Sequence, residues 1–150
     1  MTTQQTAAVA NPPKGWPRIV PHLIYDDPCV AVEWLTRVFG FQERRTARHT
    51  SSDGRIERSQ MEVGDSLVTL GLPSVHGGSP GRDVSTMLYV YVDNVDKHYQ
   101  QAEAAGASIV LQLADQPWGD RCYQVADCEG HQWTFAQHLH DVALDICSTR

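Results

Sequence analysis

The chain is short of basic charge: twelve Lys and Arg stand against eighteen Asp and Glu, a formal charge of −6 over 150 residues. A protein that neutralises a run of phosphates needs the opposite balance, so no nucleic acid partner is expected. No apolar run approaches the ~18–20 residues of a membrane helix, which predicts a soluble chain with no membrane partner. The opening MTTQQTAAVANPPKG lacks the basic start and apolar middle of a secretory signal. Residues 1–15 therefore read as a flexible leader, and the expected location is cytoplasmic. Cys29, Cys122, Cys128 and Cys147 form no C-x-x-C pair and read as reduced thiols, mostly buried by packing. A G-x-S-x-G nucleophile is absent, and Gly77-Gly78 with Gly81 lacks the Lys-Ser/Thr of a phosphate loop.

What the chain does contain is an internal repeat, its halves matching 66 residues apart. Asp27 and Asp93 each end an extended apolar run (IVPHLIYDD and TMLYVYVD), placed to cap a helix, and Pro28 suits a first helical position. Gly40 and Gly106 stand where those helices should end, which predicts helices of one length. Between the caps, Ala31, Trp34, Leu35 and Val38, and in the second copy Val95, Tyr99, Ala102 and Ala105, form apolar stripes at helical spacing. Gly64 and Gly130 repeat the register at turns between extended segments.

Each half thus reads as strand, helix and about three strands, with Asp53-Gly54 at a hairpin turn. One domain is predicted over residues 16–137, with module one at about 17–71, a Gly/Ser/Pro-rich linker at 72–82 and module two at about 83–137. A tail follows at 138–150, where Val142, Leu144 and Ile146 suggest a short helix.

The doubled βαβββ unit, with Trp118-Gly119-Asp120-Arg121 and the run Val125-Ala126-Asp127-Cys128-Glu129-Gly130-His131-Gln132-Trp133, resembles the vicinal oxygen chelate superfamily. Its glyoxalase/bleomycin resistance protein/dioxygenase branch is the nearest likeness. That branch commonly shows Gly-Asp-Arg, then Asp-Pro-x-Gly-His-x-Trp before its last strand; here Cys128 replaces the Pro. The resemblance covers roughly residues 17 to 137 and implies an α+β fold, two tandem βαβββ modules forming a cupped mixed sheet. Metal-dependent isomerases, ring-cleaving dioxygenases, thiol transferases and metal-free drug-binding proteins share that fold, so the residues in the cup must decide function.

In the metal-dependent relatives, ligands open the first strand of each module and sit on its last strand. Counting from the repeat, those slots hold Val20, Thr86, Val68 and Thr134. None carries the carboxylate, imidazole or thiolate that offsets dehydration of a divalent ion, so a metal-free cup with no cofactor is expected. His22, two residues from Val20 on the same strand face, is the remaining ligand candidate, with Glu62 and His131 as its partners. His131 reads as structural, and His49, His76, His98, His138 and His140 as exposed or tail positions.

Strands lining a cavity show weak apolar alternation, as FQERRTARHT (41–50) and RIERSQME (55–62) do. Arg58, Gln60 and Glu62 share one face, where Arg58 offers a planar fork for an oxyanion; an exposed charged edge explains the same pattern. Trp118 and Tyr123 supply flat apolar surface with a polar handle. His22, Leu88 and Thr134 join the ligand-binding candidates by strand parity, whereas Trp34, Trp133 and Phe135 belong to the core.

The expected function is metal-independent binding of a small aromatic or amphipathic organic ligand, in the manner of an antibiotic-resistance protein, by a homodimer. The rival is a lyase, isomerase or dioxygenase using His22 and Glu62 as metal ligand or general base. A third reading, an interaction module without a cavity, gains support if Arg58, Gln60 and Glu62 are all solvent-exposed.

Overall fold

The computed structural model describes residues 9–73 and 86–142. His76, Cys147, most of the expected linker and most of the expected tail helix lie outside the described residues.

The repeat becomes two α+β modules, each with its own mixed sheet. In the first, β1 (His22–Ile24) leads through α1 (Pro28–Trp34) and a π-helical turn (Leu35–Phe39) to β2 (Gln42–Glu43). A 3-10 turn (Arg45–Ala47), β3 (His49–Thr50), β4 (Ile56–Val63) and β5 (Ser66–Gly71) follow. The second module runs β6 (Met87–Tyr91), α2 (Val95–Ala104), β7 (Ser108–Asp115), β8 (Asp120–Ala126) and β9 (Gln132–His138). Strand orders are β1-β5-β4-β2, with β3 also on β4, and β6-β9-β8-β7. In each sheet the first strand lies parallel to the last, because the helix carries the chain across before it returns.

Asp27 caps α1 by accepting from the Val30 N–H at 3.1 Å, and Pro28 occupies the first turn. The second helix departs from expectation: its cap is Asn94, which accepts from the Lys97 N–H, not Asp93. Gly40 and Gly106 adopt φ of 76° and 79°, the left-handed conformation that ends a helix and strains any side-chain-bearing residue.

The two modules pack inner face to inner face. Both helical stripes, Met61, Val68 and Leu70 of the first sheet, and Tyr123, Val125, Trp133 and Phe135 of the second join one core. Phe39 is its hub, with ring centroids 4.9 Å from Trp34, 5.6 Å from Trp133 and 4.8 Å from Phe135. The opposite faces of both sheets are left to the outside.

The signature run in the second module is a clamp on the first. Buried Asp127 accepts from the Tyr25 hydroxyl at 2.6 Å, Trp133 Nε1 at 3.0 Å and the backbone N–H groups of Glu129 and His131. His131 Nε2 donates to the Ile24 carbonyl at 2.9 Å, a structural role, and Glu129 accepts from the N–H groups of Asp26 and Asp27. Burial, then the charge of Asp127, holds the Tyr25 phenol protonated far above its ordinary range.

Candidate functional site

Side chains alternate across a strand, so the outward face of each sheet follows from its register. On the second sheet, Tyr89 pairs with Thr134, and Thr134 with Gln124, while Met87 and Tyr91 stand two residues to either side of Tyr89. The strand β6 shows Met87, Tyr89 and Tyr91 exposed and Leu88 and Val90 half-buried. Tyr89 and Tyr91 remain 39% and 62% exposed, and Trp118, from the loop before β8, 46%. Together they make an aromatic surface on this outward face.

One carboxylate orients it. Asp120, 2% exposed, accepts from the Tyr89 hydroxyl at 2.6 Å, the Tyr91 hydroxyl at 3.0 Å and His138 Nδ1 at 2.7 Å. Burial alone would raise its pKa, but those three hydrogen bonds outweigh it and hold Asp120 below the ordinary 3.8. The bonds to Asp120 and then to Asp141 push His138 above 6.5. Trp118 Nε1 donates to the Tyr89 oxygen at 3.1 Å, joining the loop to the cluster. Behind it the chain after β9 is tied down, with the Leu139 N–H on the Gly119 carbonyl at 2.9 Å. Cys122, buried on the same face, is a thiol whose pKa burial raises.

The first sheet's outward face is polar. His22, Thr69 and Gln60 form one row across β1, β5 and β4, with His22 Nδ1 2.7 Å from Thr69 Oγ1. Glu62 lies in a neighbouring row and accepts from Arg44 Nε at 2.8 Å. Arg58 is exposed and pairs in register with His49, whereas Gln60 and Glu62 are half-buried. The exposure of all three that would have supported an interaction module is therefore found at Arg58 alone. Part of the polarity in residues 41–50 serves an internal cluster: Arg48 clasps both oxygens of Glu43, and Ser59 donates to Glu43 at 2.6 Å.

Two expected ligand-binding residues face inward instead. Leu88 pairs with Trp133 and packs against the core, because the drift between the repeats puts it one residue out of phase with His22. Tyr123 is 1% exposed, and its hydroxyl bonds His98 Nδ1 at 2.6 Å. His98 is itself half-buried rather than exposed, with Nε2 donating to the Phe39 carbonyl. Burial lowers its pKa, which suits the neutral ring that these bonds require. Among the thiols, Cys29 and Cys128 are exposed, contrary to expectation.

The residues missed are Tyr89, Tyr91, Asp120 and His138. Alternation in MLYVY was the available signal for the tyrosines. Nothing local announced that Asp120 would collect them, since its partners are 18 to 31 residues away.

Metal chemistry finds no set of ligands. Among the described residues no three His, Cys, Asp or Glu side chains come together as a metal site. His22 stands against a Thr hydroxyl, and Glu62 is held by Arg44, so these residues do not fit a divalent ion. A depression of about 250 Å³ opens elsewhere, among Asp27, Cys29, Asp53 and Arg55. It is smaller than the ~300–1,000 Å³ usual for ligand pockets. No helix among the described residues is long and apolar enough to cross a membrane.

Known proteins are similar to this chain in sequence and fold. The protein Rv0887c of Mycobacterium tuberculosis (strain ATCC 25618 / H37Rv) is 32% identical over 136 residues, covering 86% of this chain and 79% of its own. The crystal structure of TioX from Micromonospora sp. ML1 is similar with a TM-score of 0.70 and 38% identity, covering 81% of this chain and 98% of TioX. A glyoxalase/bleomycin resistance protein/dioxygenase family enzyme from Burkholderia phytofirmans PsJN shares the fold at a TM-score of 0.64 and 20% identity, over 79% of this chain and 95% of its own. The profile of one family matches residues 17–135, which takes in both modules and the clamp at Asp127. By that match this chain belongs to the Glyoxalase/Bleomycin resistance protein/Dioxygenase superfamily.

Proposed function

We propose that the protein binds a small aromatic or amphipathic organic molecule without a metal or cofactor, sequestering it as an antibiotic-resistance protein does. The observation that carries this reading is the exposed aromatic surface of Tyr89, Tyr91 and Trp118, ordered by buried Asp120 on an outward sheet face. Binding needs apolar walls, aromatic anchors and a few fixed polar groups, and this face supplies the anchors and the polar groups. The enzyme alternative draws less support, because Glu62 accepts from Arg44 and no three His, Cys, Asp or Glu side chains gather as a metal site among the described residues.

Among the described residues, the outward faces of the two sheets do not look at one another, so neither serves as a facing wall for the other. A homodimer supplies it, the polar first-module face of one copy covering the aromatic second-module face of the other. Cytoplasmic location is part of the same proposal.

The test is elemental analysis of untagged protein, followed by thermal-shift titration with divalent ions and a panel of aromatic compounds, and light scattering for mass. Metal-free protein of dimer mass, stabilised progressively as an aromatic compound passes its Kd, is the expected result. Stoichiometric metal lost on His22→Ala overturns it in favour of the enzyme, and monomer alone at micromolar concentration overturns the dimer.

A further inference from the structure

Tyr89, Tyr91 and Trp118 each own a single polar hydrogen, and all three are committed. The two phenols donate to Asp120, and the indole donates to the Tyr89 oxygen. Asp120 is a carboxylate and only accepts, so a phenol that turned its hydrogen outward would take one of three hydrogen bonds from a buried charge.

Among the neighbours, the donors left over are neutral amide N–H groups, one on Gln124 and one on Gln132. The Thr134 hydroxyl donates to Met87 sulfur, and Gln124 Nε2 donates to Gln132 Oε1 at 2.9 Å. His138, the cation at the cluster, is held between Asp120 and Asp141. What the three rings still present is their π faces and the free lone pairs of two phenol oxygens. Hydrogen bonding to a carboxylate makes those rings more electron-rich, and each π face attracts a cation.

We propose that this face recognises a planar aromatic molecule carrying a protonated amine, and discriminates against carboxylates of the same shape. The assignment rests on the small-molecule reading above and names its ligand class. On this face a carboxylate meets lone pairs and π density with no spare ring or phenol donor, so a charged donor for it, such as Arg58, has to come from the first-module face that covers it. An ammonium meets acceptors and ring faces, in a chain whose formal charge is −6. Discrimination comes as much from what the face lacks as from what it offers.

Three probes of one skeleton test it on the intact protein at neutral pH and low salt by calorimetry: 2-naphthylmethylammonium, 2-naphthylmethanol and 2-naphthoate. The ammonium should bind about tenfold tighter than the alcohol, and the carboxylate weakest. Tyr91→Phe keeps the ring but removes one acceptor, and should cut the ammonium's advantage over the alcohol by about threefold. Asp120→Asn should abolish that advantage; Tyr91→Phe carries the test if the Asn variant does not fold. A naphthoate affinity equal to or above that of the ammonium overturns the charge selection while leaving the binding function standing. So does an ammonium preference that both folded variants retain. Failure of all three probes to bind below about 1 mM overturns the binding function as well.

Discussion

The Tyr25 hydroxyl donates to Asp127 at 2.6 Å across 102 residues of chain, and that bond fastens the first module's β1–α1 junction to the second module's signature turn. Asp127 serves four donors at once, so its removal strands them all. Tyr25→Phe should cost about 1–3 kcal/mol, the penalty for one buried partner lost, and Asp127→Ala about 3–5 kcal/mol. Urea unfolding decides it: the midpoint falls in both variants with the slope unchanged, and further in Asp127→Ala.

Phe39 sits where the modules meet, 4% exposed, with Trp34, Phe41, Trp133 and Phe135 around its ring. Phe39→Ala opens a cavity in the shared core and should lower stability by about 3–5 kcal/mol. Phe39→Leu, which refills most of the volume, should restore the greater part in the same assay.

His98 and His138 should titrate on opposite sides of 6.5, His98 below it through burial and His138 above it through Asp120. Folded and unfolded states then exchange protons with opposite signs. His138 adds stability that is complete below 6.5 and fades as pH rises through its raised value. His98 adds stability that is present above 6.5 and fades as pH falls through its lowered value. Histidine ring resonances followed by NMR from pH 4 to 9 give both midpoints directly, and His138→Gln should flatten the alkaline fall in stability.

Gly119 adopts φ of 93°, and a Cβ there would run into the His140 carbonyl. Gly119→Ala should therefore displace the chain after β9 and the Trp118 loop together, weakening aromatic-ligand binding beyond its effect on stability. Gly106→Ala has φ of 79° but open space around the new Cβ, so it should cost stability of about 1 kcal/mol and leave binding alone. Comparing the two by thermal melt and ligand titration separates loop placement from backbone strain.

How much of this was readable in advance depended on the kind of signal. Asp27, Gly40 and Gly106 declared the helix ends because capping is local: the residue that solves the problem sits beside it. The stripes Ala31, Leu35, Val38 and Val95, Ala102 declared the buried sides, since helical period survives small errors of alignment. The signature run declared the family. Strand faces were less forgiving. Thr134 lies on the outward face as expected, yet Leu88, placed by the spacing that aligns Gly40 with Gly106, lies inside.

The reason is geometric. Asp27 matches Asn94 at an offset of 67, the helix-ending glycines match at 66, and the outward Thr69 matches Thr134 at 65. A helix tolerates a one-residue drift, but a strand of period two turns every side chain to the other face. The sequence by itself determined the doubled module, the first helix cap, the helix-ending glycines and the core stripes, because each is a local pattern. Only the tertiary structure decided that Tyr123 is core, that Tyr89 and Tyr91 face outward, and that Asp120 gathers them with His138. Those depend on strand register and on a buried charge that residues distant in the chain must satisfy together.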